Sequence, residues 1–193
     1  MMNKGNILFF DTETTGLPSN YKAPATELDN WPRLVQIAWI IISEGEIIKE
    51  KDYIIIPNGF IIPENAYRIH GISTDIALQM GVPIEFALSQ LVENVMECNG
   101  IGGHNLSYDL KIVNAELIRC NHSQLPDKPL IDTMLSTVKY CELPGKYGYK
   151  WPTLAELHQK LFGVVVKEAH HALADVETTI KCYKELVTLG IME

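Results

Sequence analysis

The feature that most constrains the fold of this chain is a short apolar run that ends on two carboxylates. Residues 6–12 predict a buried strand, and Asp11 and Glu13 lie two positions apart at its end. Side chains alternate across a strand, so these two carboxylates share one face. Like charges this close are unfavourable unless a cation lies between them. The pair therefore predicts a metal site at the carboxyl end of the strand. The simpler alternative is two solvated carboxylates.

The rest of the apolar pattern predicts two more strands and then alternating helices and strands. Residues 34–43 and 47–56 are apolar runs joined by a short turn, which favours a hairpin. Further strands are expected at 100–104 and 130–132, and helices at 84–95, 110–118, 153–162 and 172–189. This order predicts an α/β fold with a mixed five-stranded sheet flanked by helices. We expect residues 1–193 to form a single domain.

Composition and charge argue against two classes of protein, those that coat long duplexes and those that span a membrane. The formal net charge of −8 argues against a protein that coats long duplexes, but not against an enzyme that grips one strand end. No apolar run approaches the roughly 18 residues of a membrane helix, so a cytoplasmic protein without membrane contact is expected. The four cysteines are widely spaced, with no C-x-x-C pair, and predict reduced, mostly buried thiols.

Two later segments add carboxylates with a histidine nearby. Asp109 follows the predicted fourth strand near the start of a helix, and Asp175 lies in the first turns of the last predicted helix. His170 comes just before that helix. Taken alone, each carboxylate is also explained as an acidic residue favoured by the helix dipole in the first turn.

Taken in order, these segments resemble the motifs of the DnaQ-like, DEDDh family of 3′–5′ exonucleases. Residues 10–17 resemble its first motif, 104–109 its second and 170–175 its third, in which a histidine lies five residues before an aspartate. Residues 68–72 and 131–134 are similar to other segments of the family. The likeness runs from about residue 7 to about residue 183. Each motif is weak alone, but three in order at compatible spacing are strong. One departure is His171, where the family often has arginine or asparagine.

The resemblance implies a ribonuclease H-like fold and two divalent cations, Mg²⁺ or Mn²⁺, which suit oxygen ligands. Asp11 would bridge both ions, and Glu13 and Asp175 would hold the ion on the nucleophile side. Asp109 would serve the leaving-group ion, directly or through water. His170 would be the general base, since imidazole can take up a proton near neutral pH.

The resemblance also implies a set of substrate contacts. The turn after Glu13 would bind the terminal 3′ hydroxyl, Leu17 would lie beside the last base, and Tyr108 would stack on a base or sugar. A core tyrosine and a turn-capping histidine are the plainer interpretations of Tyr108 and His70. The full set of expected substrate-binding residues is Thr14, Thr15, Gly16, Leu17, His70, Asn105 and Tyr108.

The motifs together favour a metal-dependent 3′–5′ exonuclease that releases nucleoside 5′-monophosphates from the free 3′ end of a nucleic acid, with single-stranded DNA as the preferred substrate. The alternatives are an exoribonuclease resembling oligoribonuclease or ribonuclease T, and an inactive nucleic-acid-binding homologue. A proofreading subunit would need a polymerase partner, which the motifs do not indicate. The chain ends soon after the last predicted helix, and this favours a stand-alone enzyme.

Two long segments, 18–33 and 139–152, are predicted as loops, which in a small domain are often functional. Residues 139–151 contain three lysines and four aromatic residues in a chain of net negative charge. One hypothesis is that Lys146, Tyr147, Tyr149 and Lys150 hold a single strand upstream of its 3′ end. The alternative is a surface loop with solvated lysines and an inward-packed Trp151.

Overall fold

The computed structural model describes residues 5–165 and 170–192, in which helices cover both faces of a five-stranded sheet. The sheet strands are β1 (Ile7–Thr14), β2 (Leu34–Ser43), β3 (Glu46–Ile54), β4 (Gly100–Gly103) and β5 (Leu130–Asp132). The helices are α1 (Glu64–His70), α2 (Thr74–Met80), α3 (Ile84–Glu97), α4 (Leu106–Arg119), α5 (Thr133–Ser136), α6 (Val138–Cys141), α7 (Leu154–Phe162) and α8 (Ala172–Thr188). A separate hairpin consists of β6 (Pro144–Gly145) and β7 (Gly148–Tyr149).

The strand order is β3-β2-β1-β4-β5, which confirms the predicted mixed sheet. β1 pairs antiparallel with β2 and parallel with β4, and β4 pairs parallel with β5. The carboxyl ends of β1, β4 and β5 therefore meet at one edge, where open α/β sheets place their sites.

The core explains why the chain begins with an apolar strand. Leu8 and Phe10 are buried against α3 and α4 on one face of the sheet, and Ile7 and Phe9 are buried beneath α8 on the other. Phe9 and Tyr183 lie with their ring centroids 5.1 Å apart. A Cβ atom on Gly102 would lie 2.3 Å from the Phe9 ring, so only glycine fits at this position of β4.

Several predicted boundaries need correction. β1 runs to Thr14, so Glu13 and Thr14 belong to the strand and the turn begins later. The helix predicted at 110–118 begins at Leu106, because Asn105 takes the left-handed conformation (φ 63°) that starts it. Helices α1 and α2 were not predicted, because seven residues show too little periodicity.

The two predicted loops are more structured than expected. Segment 18–33 contains a single 3₁₀ turn and is anchored by Trp31, whose Nε1 donates to the Pro24 carbonyl at 3.0 Å. Segment 139–152 contains the end of α6 and the β6–β7 hairpin. The interpretation of 139–152 as one irregular loop is therefore wrong.

The four cysteines are free and mostly buried, as the sequence predicted. All four cysteines are free; Cys98, Cys141 and Cys182 are buried, and Cys120 is partly buried. Among the residues described, no helix is both long enough and apolar enough to cross a membrane.

Candidate active site

Asp11 and Glu13 lie on the face of β1 that α8 covers. They continue the alternation of Ile7 and Phe9, which pack beneath α8. Asp175 lies in the first turn of α8, so the packing of this helix brings a third carboxylate to the end of β1.

These three carboxylates form one cluster. Each of Asp11, Glu13 and Asp175 offers an oxygen atom, and the three atoms lie within 4.8 Å of one another. Oxygen ligands of one Mg²⁺ ion lie about 2.1 Å from it, so small side-chain rotations would let all three bind a common ion. The donor set contains only carboxylate oxygens, which fits Mg²⁺ or Mn²⁺ better than a soft metal.

Asp109 approaches the same strand from the opposite face. Its Oδ1 accepts hydrogen bonds from the Thr12 backbone N–H at 3.1 Å and from the Thr12 hydroxyl at 2.5 Å. Asp109 is buried but lies outside the three-carboxylate cluster. The structure therefore places it beside the cluster, where it acts on Asp11 through its charge. Its predicted role as a metal ligand stays a proposal.

Burial and mutual repulsion raise the pKa values of this group. Burial first, and then the charges of Asp109, Asp175 and Glu13, raise the pKa of Asp11 well above its usual value. Burial, Asp175 and Asp109 raise the pKa of Glu13 to about 8. Burial raises the pKa of Asp109 to about 7, although its hydrogen bonds with Thr12 oppose the shift. The metal-free site thus retains protons at neutral pH, as expected of a site completed by cations.

We expect the metal-free protein to lose stability as the pH rises from about 5 to about 8. The folded-state pKa of Glu13, about 8, lies above its ordinary value of 4.5. Proton binding at Glu13 therefore stabilises the folded state. This contribution is complete below about pH 4.5 and is lost as the pH rises towards 8. The measurement is the melting temperature in EDTA across this range. Glu13→Gln should flatten the curve, and saturating Mg²⁺ should do the same. A wild-type melting temperature in EDTA that is constant or rises with pH would contradict the prediction.

A pocket of about 380 Å³ lies beside the carboxylates. Its walls are the end of β1, the following turn and the inner side of α1, and its lining residues include Glu13, Leu17, Ile69, His70 and Tyr108. This volume is within the range of small-molecule sites. A larger groove of about 540 Å³ between α3 and the end of α4 is lined by none of the clustered carboxylates, so the chemistry favours the smaller pocket.

The turn after β1 is fixed by its own threonines. The Thr14 hydroxyl donates to the Gly16 carbonyl at 2.7 Å and lies 2.9 Å from the Tyr108 hydroxyl. The Thr15 hydroxyl accepts the Arg33 N–H at 3.0 Å. Leu17 is 75% exposed at the rim of the pocket. The threonines thus shape the turn, and Leu17 is free to contact a ligand.

Tyr108 and His70 both line the pocket. The Tyr108 hydroxyl donates to the Gly16 carbonyl at 3.1 Å, and its ring lies near Tyr21 and Trp31. His70 Nδ1 accepts the Ile72 N–H at 3.1 Å, so His70 also caps a turn, as its alternative interpretation proposed. Burial lowers the pKa of His70, and the Thr14 backbone and His170 also influence it. His70 therefore lies between the first and third motifs.

The two adjacent histidines face different surroundings. His170 has a positive φ of 37° and lies near enough to His70 to affect its pKa. The Nε2 atom of His171 lies 3.2 Å from Gln36 Nε2 and 3.8 Å from a carboxylate oxygen of Asp52, on β2 and β3. Of the two histidines, His170, which has the family's spacing to Asp175, is therefore the one near His70 in the pocket wall.

Two residues that support the site were not identified from the sequence. Gln36 is fully buried, and its Oε1 accepts the Ala172 N–H at 3.3 Å, which fixes the start of α8. Asp132 accepts the backbone N–H groups of Asn105 and Leu106 at 3.3 and 3.0 Å and thereby holds the start of α4. A polar residue within the apolar β2 pattern was the available signal for Gln36. For Asp132, the signal was its likeness to the family at 131–134.

Comparisons with known proteins agree with this geometry. The exonuclease family model (RNase_T) matches residues 8–183. The 3′-5′ exonuclease DinG of Bacillus subtilis is 30% identical over 187 residues, which are 96% of this chain and 18% of that protein. The DNA polymerase III subunit epsilon of Treponema pallidum is 26% identical over 92% of this chain and 74% of its own length. The PolC-type DNA polymerase III of Pediococcus pentosaceus is 27% identical, and the chain spans 11% of its length.

Solved structures share the fold. E. coli exonuclease I in complex with a dA16 oligonucleotide superposes with a TM-score of 0.71 at 21% identity, over 95% of this chain and 41% of that one. The predicted ribonuclease H-like fold is therefore confirmed. Because the family model covers nearly the whole chain and its carboxylates converge at one sheet edge, the chain belongs to the exonuclease family of DnaQ-like, ribonuclease H-like proteins.

Proposed function

We propose that the chain is a metal-dependent 3′–5′ exonuclease that releases nucleoside 5′-monophosphates from single-stranded DNA. The observation that carries the proposal is the cluster of Asp11, Glu13 and Asp175, whose carboxylate oxygens lie within 4.8 Å beside a nucleotide-sized pocket. The names of its relatives and the oligonucleotide bound to exonuclease I support the same reaction and substrate.

The carboxylates would hold the catalytic cations. Asp11, Glu13 and Asp175 would bind Mg²⁺ or Mn²⁺, and Asp109, beside them, would serve a second ion. When bound, such a pair of ions activates water and neutralises charge on the phosphate and the leaving oxygen. The pKa values of Asp11 and Glu13 are raised by burial first and then by repulsion, and this fits the role, because a bound cation would offset both effects.

The remaining residues position the substrate and move the proton. His170 would accept a proton from water as its oxygen bonds to the last phosphorus atom. The bond from phosphorus to the upstream O3′ would break, and that oxygen would take a proton from solvent water, while His170 would return its proton to the solvent. The terminal nucleotide then leaves with a 5′ phosphate. Leu17 and Tyr108 would contact the last base and sugar, and Thr14, Gly16 and His70 would form the surrounding wall. Thr15 and Asn105 stay predicted substrate contacts.

The test is a product assay on matched single-stranded DNA and RNA oligomers, labelled at either end, with Mg²⁺ or Mn²⁺. We expect 3′-labelled DNA to release labelled mononucleotide at once and 5′-labelled DNA to shorten as a ladder. Faster cleavage of RNA would favour the exoribonuclease alternative. Binding without any product in either metal would indicate an inactive homologue.

The proposed compartment is the cytoplasm. All four cysteines are free, and three of them are buried. Free thiols are typical of reducing compartments, where disulfides are rare.

A further inference from the structure

We propose that the β6–β7 hairpin and Trp151 form a docking surface for unpaired DNA upstream of the 3′ end. The inference rests on the proposed function in one respect, because it takes the 3′ end of the strand to lie beside the carboxylate cluster. The surface consists of Lys146, Tyr147 and Trp151.

The hairpin presents its tip in a fixed conformation. Pro144 pairs with Tyr149 and Gly145 with Gly148, so Lys146 and Tyr147 form a two-residue turn. Gly148 has a φ of 122°, which only glycine adopts readily. The Lys150 N–H also donates to the Leu143 carbonyl at 2.9 Å and closes the base of the hairpin. A ligand at the tip would therefore meet side chains on an already ordered backbone, which lowers the entropic cost of binding.

The exposed side chains suit an unpaired nucleic acid. Tyr147 is 91% exposed and Trp151 is 65% exposed, so both rings are open to solvent. The inward packing of Trp151 considered from the sequence is therefore wrong. The Lys146 ammonium lies 5.2 Å from the centre of the Tyr147 ring, which places a positive charge beside an aromatic face. Aromatic faces stack on unpaired bases, and lysines neutralise phosphates. The surface offers both in a chain whose net charge is −8.

Tyr149 and Lys150, two of the four residues that the sequence suggested for strand binding, form contacts within the protein instead. Lys150 forms an ion pair with Glu156, and the Tyr149 hydroxyl donates to a Glu142 carboxylate oxygen at 3.2 Å. Within residues 5–165 and 170–192, no carboxylate forms a comparable ion pair with Lys146. The docking surface therefore includes Lys146 and Trp151 but leaves out Tyr149 and Lys150.

The base of the hairpin is attached to the same sheet edge as the carboxylates. His104 directly follows β4, and its Nε2 donates to the Pro152 carbonyl at 3.0 Å. His104 Nδ1 lies 3.0 Å from the Thr133 hydroxyl at the end of β5. One wall of the pocket is α1, whose Ala66 packs in one cluster with Val35 of β2 and Ile54 of β3, on the side of β1 away from β4 and β5. A strand with its last nucleoside in the pocket would cross the carboxylates towards β4, β5 and the hairpin.

The test measures binding and cleavage separately. Anisotropy of a labelled single-stranded oligomer in EDTA gives the Kd without any need for catalysis. We expect Tyr147→Ala and Trp151→Ala each to weaken binding about tenfold, the usual loss for one stacked base. Lys146→Ala should lower the slope of log Kd against log salt by about 0.7. Tyr147→Phe should bind like the wild type, because it keeps the ring.

The controls separate this surface from the active site. Lys51→Ala removes a lysine from β3 at the opposite edge of the sheet and should leave binding unchanged. The proposal places the hairpin upstream of the last two nucleotides, so the cleavage rate of a dinucleotide should be the same in the hairpin variants. Wild-type affinity and salt slope in all three alanine variants would overturn the docking surface. If the alanine variants lost as much affinity for a blunt duplex as for the single strand, stacking on unpaired bases would be overturned. Weakened binding in a protein that cleaves nothing would refute the proposed function and leave the surface standing.

Discussion

Asp11→Asn is expected to abolish measurable nuclease activity and, at the same time, to stabilise the metal-free protein. Asp11 belongs to the carboxylate cluster, and burial first, and then the charges of Asp109, Asp175 and Glu13, raise its pKa. Bound cations supply several kcal/mol of transition-state stabilisation, so loss of their shared ligand should lower kcat by at least about 10³-fold. Without metal, the same substitution removes a carboxyl group whose ionised form is disfavoured by burial and by its acidic neighbours, and each kcal/mol gained raises the melting temperature by about 2–4 °C.

Asp11→Asn is thus expected to lower activity but to raise the stability of the metal-free protein. These opposite effects distinguish a catalytic role of Asp11 from a folding defect. In the wild type, millimolar Mn²⁺ or Mg²⁺ should raise the melting temperature, because ions that bind only the folded state stabilise it. Asp11→Asn should largely lose this gain. The control is Asp127→Asn, which removes one negative charge from an exposed loop and should change neither activity nor the metal-induced shift. A wild-type protein whose melting temperature does not respond to metal would argue strongly against the shared site.

His170→Ala should lower kcat by roughly 10²–10⁴-fold, the usual loss for a general base. The structure supports this choice, because His170 lies near His70 at the pocket, whereas His171 contacts Gln36 and lies near Asp52. The measurement is single-turnover cleavage of a short oligomer at saturating metal.

His171→Ala is the matched control, since it removes the neighbouring imidazole. Its effect should be much smaller, because its contacts are with β2 and β3 and not with the pocket. Both variants should retain the metal-induced rise in melting temperature. If His171→Ala proved the more damaging change, His170 would not be the base.

The chemistry-bearing residues could be predicted largely from the sequence, because their spacing is local. Asp11 and Glu13 share a face through the alternation of a strand, and His170 and Asp175 belong to one short segment. The five strands of the sheet were also predicted, since each is an apolar run bounded by a turn or by polar residues. The helices α1 and α2 were missed because each is seven residues long and buries only one or two residues, which leaves little apolar periodicity.

Contacts between distant segments could not be predicted in this way. Asp109 turns towards Thr12, 97 residues earlier, only because α4 packs against β1. Gln36 supports the start of α8 across 136 residues, and local patterns carry no information on such pairs. The β6–β7 hairpin depends on backbone pairing around Gly145 and Gly148, and composition alone had suggested a loop.

The sequence by itself determined which carboxylates and histidine are available and that they follow the order of an exonuclease family, because motifs and alternation are properties of neighbouring residues. The tertiary structure decided which of them meet. α8 packs on β1 and brings Asp175 to Asp11 and Glu13, while Thr12 holds Asp109 on the other face. It also decided that Trp151 and Tyr147 are exposed while Lys150 and Tyr149 bind within the protein, since burial and pairing depend on what packs against a side chain.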